Sequence, residues 1–301
     1  MIKELKQLLP LAKGKKGQTL AVVEAQDEPV LQAVMQAKKE GIADVLLFGK
    51  KEEIEAILDE MKEDKSLVTI IDARDPDESS MLALKAIREK KATVLMKGLL
   101  DTKVLLKHVL NKEYGARKSP LLSHVGLLEF PTLDRLLFVT DGAMNITVSV
   151  EQKKDIIHNV LPLCKSLGIK KPKVAIVSAV EKVNPKMQST VDAEELTNAS
   201  KNGEFGNALV EGPFAIDNIV SMESVKHKGI KSEVAGKADV LVFPNIESGN
   251  VFYKTGVFLA GAKVAGIILG AACPIVLTSR ADDAISKLYS ISLAVVHSDE
   301  N

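Results

Sequence analysis

The chain has 301 residues, 46% of them hydrophobic and 27% charged. This is ordinary globular composition, with enough apolar material for about two domains, and it excludes a disordered chain or a disulfide-stapled miniprotein. Forty Lys and Arg balance forty Asp and Glu, so no basic excess points to nucleic acid. The two cysteines, Cys164 and Cys273, make neither a disulfide framework nor a metal pattern, and they fit a reducing, cytoplasmic setting.

Residues 1–17 form a short amphipathic stretch with lysines throughout, without the continuous apolar region of a signal peptide. The pattern that follows is an apolar run, a polar loop and a helical period, repeated. TLAVVEA (19–25) predicts a buried strand. Asp27, Pro29 and Gly41 predict the cap, first turn and end of a helix whose stripe is Val30, Leu31, Val34 and Ala37. Strands are expected at 44–49, 67–72 and 92–98, with a charged helix at 50–62 and another helix carrying Leu82, Leu84, Ala86 and Ile87.

A second run of the same kind begins with RLLFVTD (135–141). SVEQ (149–152) is a capping-box pattern opening a helix that Gly168 can close, and DAEE (192–195) reads as a second capping signature. Strands are expected at 173–179, 238–245 and 274–279, and a helix over the last twenty residues. Gly256–Leu277 is apolar enough to ask whether it spans a membrane. Lys263, Pro274 and four glycines interrupt it, so it reads as a buried helix followed by a buried strand. The β-α-β order predicts an α/β fold with mostly parallel sheets and helices on both faces.

Several motifs are absent. GKKGQT (14–19) lacks P-loop spacing, no GxGxxG follows a strand, and neither GxSxG nor HExxH occurs. The five histidines show no metal-ligand spacing. Phosphate handling would therefore rest on Arg, Ser or Thr, and helix N-termini.

Ligands of open α/β sheets bind beyond the carboxyl ends of strands. The polar residues in those positions are Lys97-Gly98, Ser123-His124, Asp141 to Asn145, Ser178 to Lys182, Asn245 to Asn250 and Thr278-Ser279-Arg280. Arg280 offers a planar donor fork that suits phosphate, and Ser279 a hydroxyl for a second anion or an oxyanion. A surface ion pair and a plain helix cap are the competing readings of this pair.

LSHVGLLEFP (122–131), VTDGAMNI (139–146), AVEKVNPKM (179–187), EGPFAIDNIVS (211–221), GKADVLVFPN (236–245) and LTSRADDAISKLYS (277–290) together resemble the phosphate acetyl/butyryltransferase family. The likeness runs from about Lys97 to Leu293 and is greater to the butyryl branch than to the acetyl branch. It implies reversible transfer of a short acyl group between CoA and phosphate by direct ternary-complex chemistry. It implies no cofactor and no metal, because the phosphate keeps its own oxygens and the chemistry is at a carbonyl carbon. The partners implied are acyl-CoA or CoA and phosphate, with a homodimer or higher homo-oligomer as the assembly, and neither nucleic acid nor membrane.

By resemblance, Arg280 holds phosphate and Ser279 stabilises the transition state. The acetyl branch carries an aspartate seven residues after its motif serine, where this chain has Ser286. Asp282 or Asp283, and then Asp141, are the candidates for the thiol base. Asp141, Asn145, Lys182, Gly249, Asn250, Tyr253, Ser123 and His124 are expected to line substrate. Each has a plainer reading as well: turn chemistry for Asp141 and Asn145, a solvated lysine, core packing for Tyr253, a structural histidine, and first-turn acids for Asp282 and Asp283.

The fold implied is two three-layer α/β/α domains of the isocitrate/isopropylmalate dehydrogenase type with an interdomain cleft. Residues 1–129 plus 274–301 would form one domain and 130–273 the other. Two other functions share that architecture. A dehydrogenase would need a nucleotide site and an aspartate cluster, which the sequence does not offer. An acyl-CoA-sensing module would not need an intact Ser279-Arg280.

Overall fold

A computed structural model describes residues 2–277 and 283–298. The chain divides into two compact units, Lys6–Pro120 with Ala265–Asn301 and Met1–Leu5 with Leu121–Val264.

The first of these begins with α1 (Leu8–Lys13), β1 (Thr19–Val23), α2 (Glu28–Lys39), β2 (Asp44–Gly49), α3 (Lys51–Glu60), β3 (Thr69–Asp72), α4 (Pro76–Arg88), β4 (Val94–Lys97) and α5 (Thr102–Val109). The other unit contains β5 (Ser123–Glu129), β6 (Leu137–Thr140), α6 (Val150–Ser166), β7 (Lys173–Val177), α7 (Gln188–Lys201), β8 (Leu209–Phe214), α8 (Ile216–Val220), α9 (Met222–His227), β9 (Val240–Val242) and α10 (Ile246–Phe258). After β10 (Lys263–Leu269), the chain closes with β11 (Ile275–Val276) and α11 (Ala284–His297).

In the unit of Lys6–Pro120 and Ala265–Asn301 the strand order is β3-β2-β1-β4-β11-β10. All pairs are parallel except β10 with β11. The chain moves outward from β1 through β2 to β3 and then returns to the far side of β1 as β4. Right-handed crossovers therefore put α2 and α3 on one face and α4 on the other. The topological switch lies between β1 and β4. Continuous apolar runs such as Leu20 to Val23, fully buried, are what a parallel strand covered on both faces requires. On one side α11 packs against α2 and α1; its buried residues run from Lys287 to His297.

In the other unit the order is β5-β6-β9-β7-β8, with only β5 and β6 antiparallel. Here the chain steps from β6 to β7 to β8, then turns back to insert β9 between β6 and β7. The same handedness puts α6 and α7, which pack on each other, on one face and the α8–α10 connections on the other. The switch lies between β6 and β9. A core of Leu128, Leu137, Val139, Leu241 and Phe243 backs it.

Several local expectations agree with the structure. Ser149 and Gln152 form the reciprocal capping box of α6, and Gly41 and Gly168 take positive φ just past α2 and α6. No helix of the described residues is long and apolar enough to cross a membrane.

Others differ. Gly256–Leu277 holds no buried helix, contrary to expectation: only its first three residues end α10, where Phe258 is exposed, and the apolar run is strand β10 followed by β11. Asp27 sits at the N-cap of α2, but its side chain makes no cap hydrogen bond. The DAEE signature opens no helix, because α7 has already begun at Gln188 and Asp192 lies buried inside it. Asp192 instead forms a short ion pair with the equally buried Lys153 of α6 and accepts from Gln188 Nε2 at 2.7 Å. A carboxylate buried inside a helix needs such a partner, whereas a cap would be exposed. The unit bounds also differ from the expected division. Residues 121–129 go with 130–264 because β5 pairs with β6, and 265–273 go with 274–301 because β10 pairs with β11.

Candidate functional site

Asp141 follows the last residue of β6 and is 3% exposed. Its Oδ1 accepts from the backbone N–H groups of Ala143 and Met144, each at 2.9 Å. Its Oδ2 accepts from Asn145 Nδ2 at 2.6 Å and from His124 N at 3.2 Å. One carboxylate thus ties its own loop to the first residues of β5, which run antiparallel beside the end of β6. Asn145 Nδ2 also donates to Leu122 O at 2.9 Å, and Thr140 Oγ1 to His124 O at 2.8 Å.

The start of α10 closes the other side of this loop. Asn245 caps the helix by accepting from Ser248 N at 2.9 Å. Asn250 Nδ2 donates to Gly142 O at 2.9 Å. Gly249 lies flush on the loop: a Cβ there would sit 2.4 Å from Asp141 O, so only glycine lets the two backbones approach this closely. Gly249→Ala must push α10 off the loop. It is expected to destabilise by about 1–3 kcal/mol and to lower turnover at least tenfold; an unchanged melting midpoint and normal kinetics would show that this approach is dispensable.

His124 and Tyr253 add a ring pair, edge-on with centroids 6.0 Å apart. The Tyr253 ring also lies over Gly126, where a Cβ would come within 2.9 Å of Cε2. Burial holds the His124 imidazole below its ordinary range, with the Asp141 charge acting in the opposite direction. The ring is therefore neutral at pH 7, and its buried Nδ1 has no hydrogen-bond partner among the described residues.

Seven of the expected residues thus converge at the switch between β6 and β9: Ser123, His124, Asp141, Asn145, Gly249, Asn250 and Tyr253. Ser123 is turned into the fold, accepting from Asn159 Nδ2 of α6 at 3.1 Å. Lys182 is exposed on the loop after β7, and no hydrogen bond or ion pair among the described residues ties it to the cluster. Thr140 and Asn159 belong to the same network and went unnoticed in the sequence, because nothing local distinguishes a buried hydroxyl or amide that bonds across strands.

In the other unit, Asp283 is exposed and caps α11, its Oδ1 accepting from Ser286 N at 2.8 Å. Ser286 is held in that first turn, and its carbonyl accepts from Ser290 Oγ at 2.8 Å. Ser279, Arg280 and Asp282 lie outside the described residues. They follow β11, which pairs with β4 in parallel register, Val276 opposite Met96.

Neither thiol belongs to this chemistry. Cys164 and Cys273 are free and buried, and burial raises both, Cys273 to about 12. The native protein is expected to consume no aromatic disulfide reagent at pH 8 and two equivalents once unfolded in guanidinium. Rapid labelling of the native chain would contradict this burial.

The family model described as "Phosphate acetyl/butaryl transferase" matches residues 3–81 and 76–295. A probable phosphate butyryltransferase of Bacillus subtilis is 44% identical over 99% of this chain and 99% of its own length. A phosphate acetyltransferase of Thermotoga maritima is 43% identical over 97% of this chain and 99% of its own. The crystal structure of a branched-chain phosphotransacylase from Enterococcus faecalis superposes with a TM-score of 0.84 at 32% identity, covering 93% of this chain and 99% of that one. With a family model spanning nearly the whole sequence and full-length relatives above 40% identity, the chain belongs to the phosphate acetyl/butyryltransferase family.

Proposed function

We propose that the protein transfers a short acyl group reversibly between CoA and orthophosphate, with butyryl or a branched four- or five-carbon chain preferred. The observation that carries this is continuity. The likeness to acyl-CoA:phosphate transferases runs from residue 3 to residue 295 and includes both the Asp141 loop and Ser279-Arg280.

In this reading a phosphate oxygen attacks the thioester carbonyl carbon. The tetrahedral oxyanion collapses, the C–S bond breaks, and CoA leaves as the thiolate. Arg280 holds the phosphate and Ser279 donates to the oxyanion. The reaction needs no resident metal or cofactor, because no phosphorus–oxygen bond is made or broken. In the reverse direction a carboxylate takes the thiol proton. We assign that role to Asp282 or Asp283 rather than to Asp141, whose two oxygens already accept four hydrogen bonds. A thiol with a pKa near ~8.5 asks little of such a base. The seven residues at the β6–β9 switch hold a substrate-facing loop, and Lys182 reaches phosphate or CoA from the loop after β7.

Each unit has a mostly parallel sheet, with one antiparallel pair, and crossovers to both faces, which supports the finer assignment of two three-layer domains of the isocitrate/isopropylmalate dehydrogenase type. A homodimer working in the cytoplasm completes the proposal; buried, unpaired thiols suit a reducing compartment.

Acetyl is the second reading of the acyl chain, favoured by the 43% identity to an acetyltransferase. One methylene is worth only about 1–3 kcal/mol in a pocket. The test is phosphate-dependent CoA release from butyryl-CoA, branched acyl-CoAs and acetyl-CoA in parallel. Fastest turnover with four or five carbons upholds the proposal, fastest turnover with acetyl-CoA overturns the branch, and no release overturns the reaction.

A further inference from the structure

Strands β6, β9 and β7 run parallel, so their amino ends share one edge of the sheet, opposite the Asp141 loop. A depression of about 450 Å³ opens at that edge, within the unit of Met1–Leu5 and Leu121–Val264. Six cationic side chains line it: Lys3, Arg135, Lys170, Lys171, Lys173 and Lys237. Among the described residues only two carboxylates, Asp134 and Asp239, line it with them. The chain as a whole has forty cations and forty anions, so this excess is local.

The two carboxylates do not cancel it. Asp239 is 7% exposed and accepts from Lys173 N at 2.9 Å. Asp134 stands 3.7 Å from Arg135 Nη1 and is otherwise turned to solvent. Arg135 also donates to the carbonyls of Ala238 and Gly236, at 3.1 and 3.3 Å, which holds the wall that carries Lys237. Lys171 lies 3.6 Å from the exposed Glu233. The ammonium groups of Lys170 and Lys237 are exposed and have no hydrogen bond or ion pair among the described residues. These cations come from four separate segments of the chain. Like charges gathered in this way repel one another and cost stability. An anion bound among them reverses the sign of that energy.

We propose that this depression binds a polyphosphate, either inorganic or carried on a nucleotide. Orthophosphate is too small to meet cations on more than one wall, and a simple carboxylate offers one anionic group. A chain of phosphates presents charged oxygens along its length. Lysine ammonium groups and an arginine fork are the donors that suit them. No aromatic side chain lines the depression among the described residues, so the phosphates are recognised rather than a base. The ligand lies at the far ends of β6 and β9 from the substrate-facing loop.

The test is calorimetric titration of the full chain with inorganic triphosphate, ATP and orthophosphate, without divalent metal. The wild type is expected to bind triphosphate about tenfold or more tighter than orthophosphate, the size of one added charge-assisted contact. That affinity should fall as salt rises. The double variant Lys170→Glu with Lys237→Glu is expected to bind triphosphate about tenfold or more weakly than the wild type. Both side chains are exposed, so its melting midpoint without ligand should not fall. Alanine at the same two positions should act in the same direction with a smaller loss. Saturating triphosphate should raise the melting midpoint of the wild type and leave that of the charge-reversed variant unchanged.

ATP bound as tightly as triphosphate assigns a bare polyphosphate to the site, and ATP bound markedly tighter assigns a nucleotide. No binding of either to the wild type at millimolar concentration overturns the proposal. Triphosphate binding that the double variant retains in full also overturns it, as does orthophosphate bound as tightly as triphosphate.

Discussion

Ser279→Ala is expected to lower kcat by ~10²–10³-fold, the usual cost of removing one donor to a tetrahedral oxyanion, with little change in the KM for acyl-CoA. Arg280→Ala is expected to cost at least as much in kcat/KM for phosphate, with most of it in KM. Arg280→Lys should recover only part, because an ammonium keeps the charge but loses the planar two-pronged contact. Steady-state kinetics in both directions, at varied phosphate and varied acyl-CoA, separate these effects. Far-ultraviolet circular dichroism checks that the fold is intact. Turnover within threefold of the wild type in either variant would remove that residue from the chemistry. It would also turn attention to the β6–β9 switch, where the neutral His124 and the Asp141 loop are the groups to mutate next.

Asp141→Ala is expected to be the most damaging substitution to stability in this part of the fold. It leaves the N–H groups of Ala143, Met144 and His124 and the Asn145 amide without the acceptor they now share. The His124 N–H is buried, and stranding it costs about 1–3 kcal/mol; the donors on Ala143, Met144 and Asn145 are only part-buried and cost less, because water reaches them. A loss of about 2–3 kcal/mol is the expected outcome. For a unit of this size that lowers the melting midpoint by roughly 2–4 °C per kcal/mol. Asp141→Asn should fall between, since one amide oxygen can serve two of the four donors while its NH2 opposes the others. Activity should drop with stability in both, because the same carboxylate holds Gly142 where Asn250 and Gly249 meet it. A melting midpoint within 1–2 °C of the wild type for Asp141→Ala would show that the loop is held by something else.

Much of this was legible in the chain itself, and the reason is locality. A strand covered on both faces needs an unbroken apolar run, so 19–25, 44–49 and 173–179 were readable as β1, β2 and β7. A helix end must satisfy its own amides, so Ser149, Gln152, Gly41 and Gly168 marked theirs. β5 and β8 were missed as strands. Gly126 in one and Gly212-Pro213 in the other are poor strand formers in isolation, and cross-strand packing carries them.

The family, and with it the Ser279-Arg280 pair, was also in the sequence, because motif order and spacing survive without coordinates. What the sequence by itself determined is therefore the α/β class, most element positions and the chemistry the chain is equipped for.

The tertiary structure decided which side chains share a partner. DAEE looked like a helix start, and only the packing of α6 on α7 shows Asp192 buried against Lys153. Asp141 read equally well as a turn residue, a substrate ligand or a base until its four donors were placed. One contact that closes the loop joins Asn250 to Gly142, 108 residues apart. Local patterns record how a segment satisfies itself and which face it buries. Strand order, which rests on contacts between distant residues, determines which polar groups are left facing one another or facing a ligand.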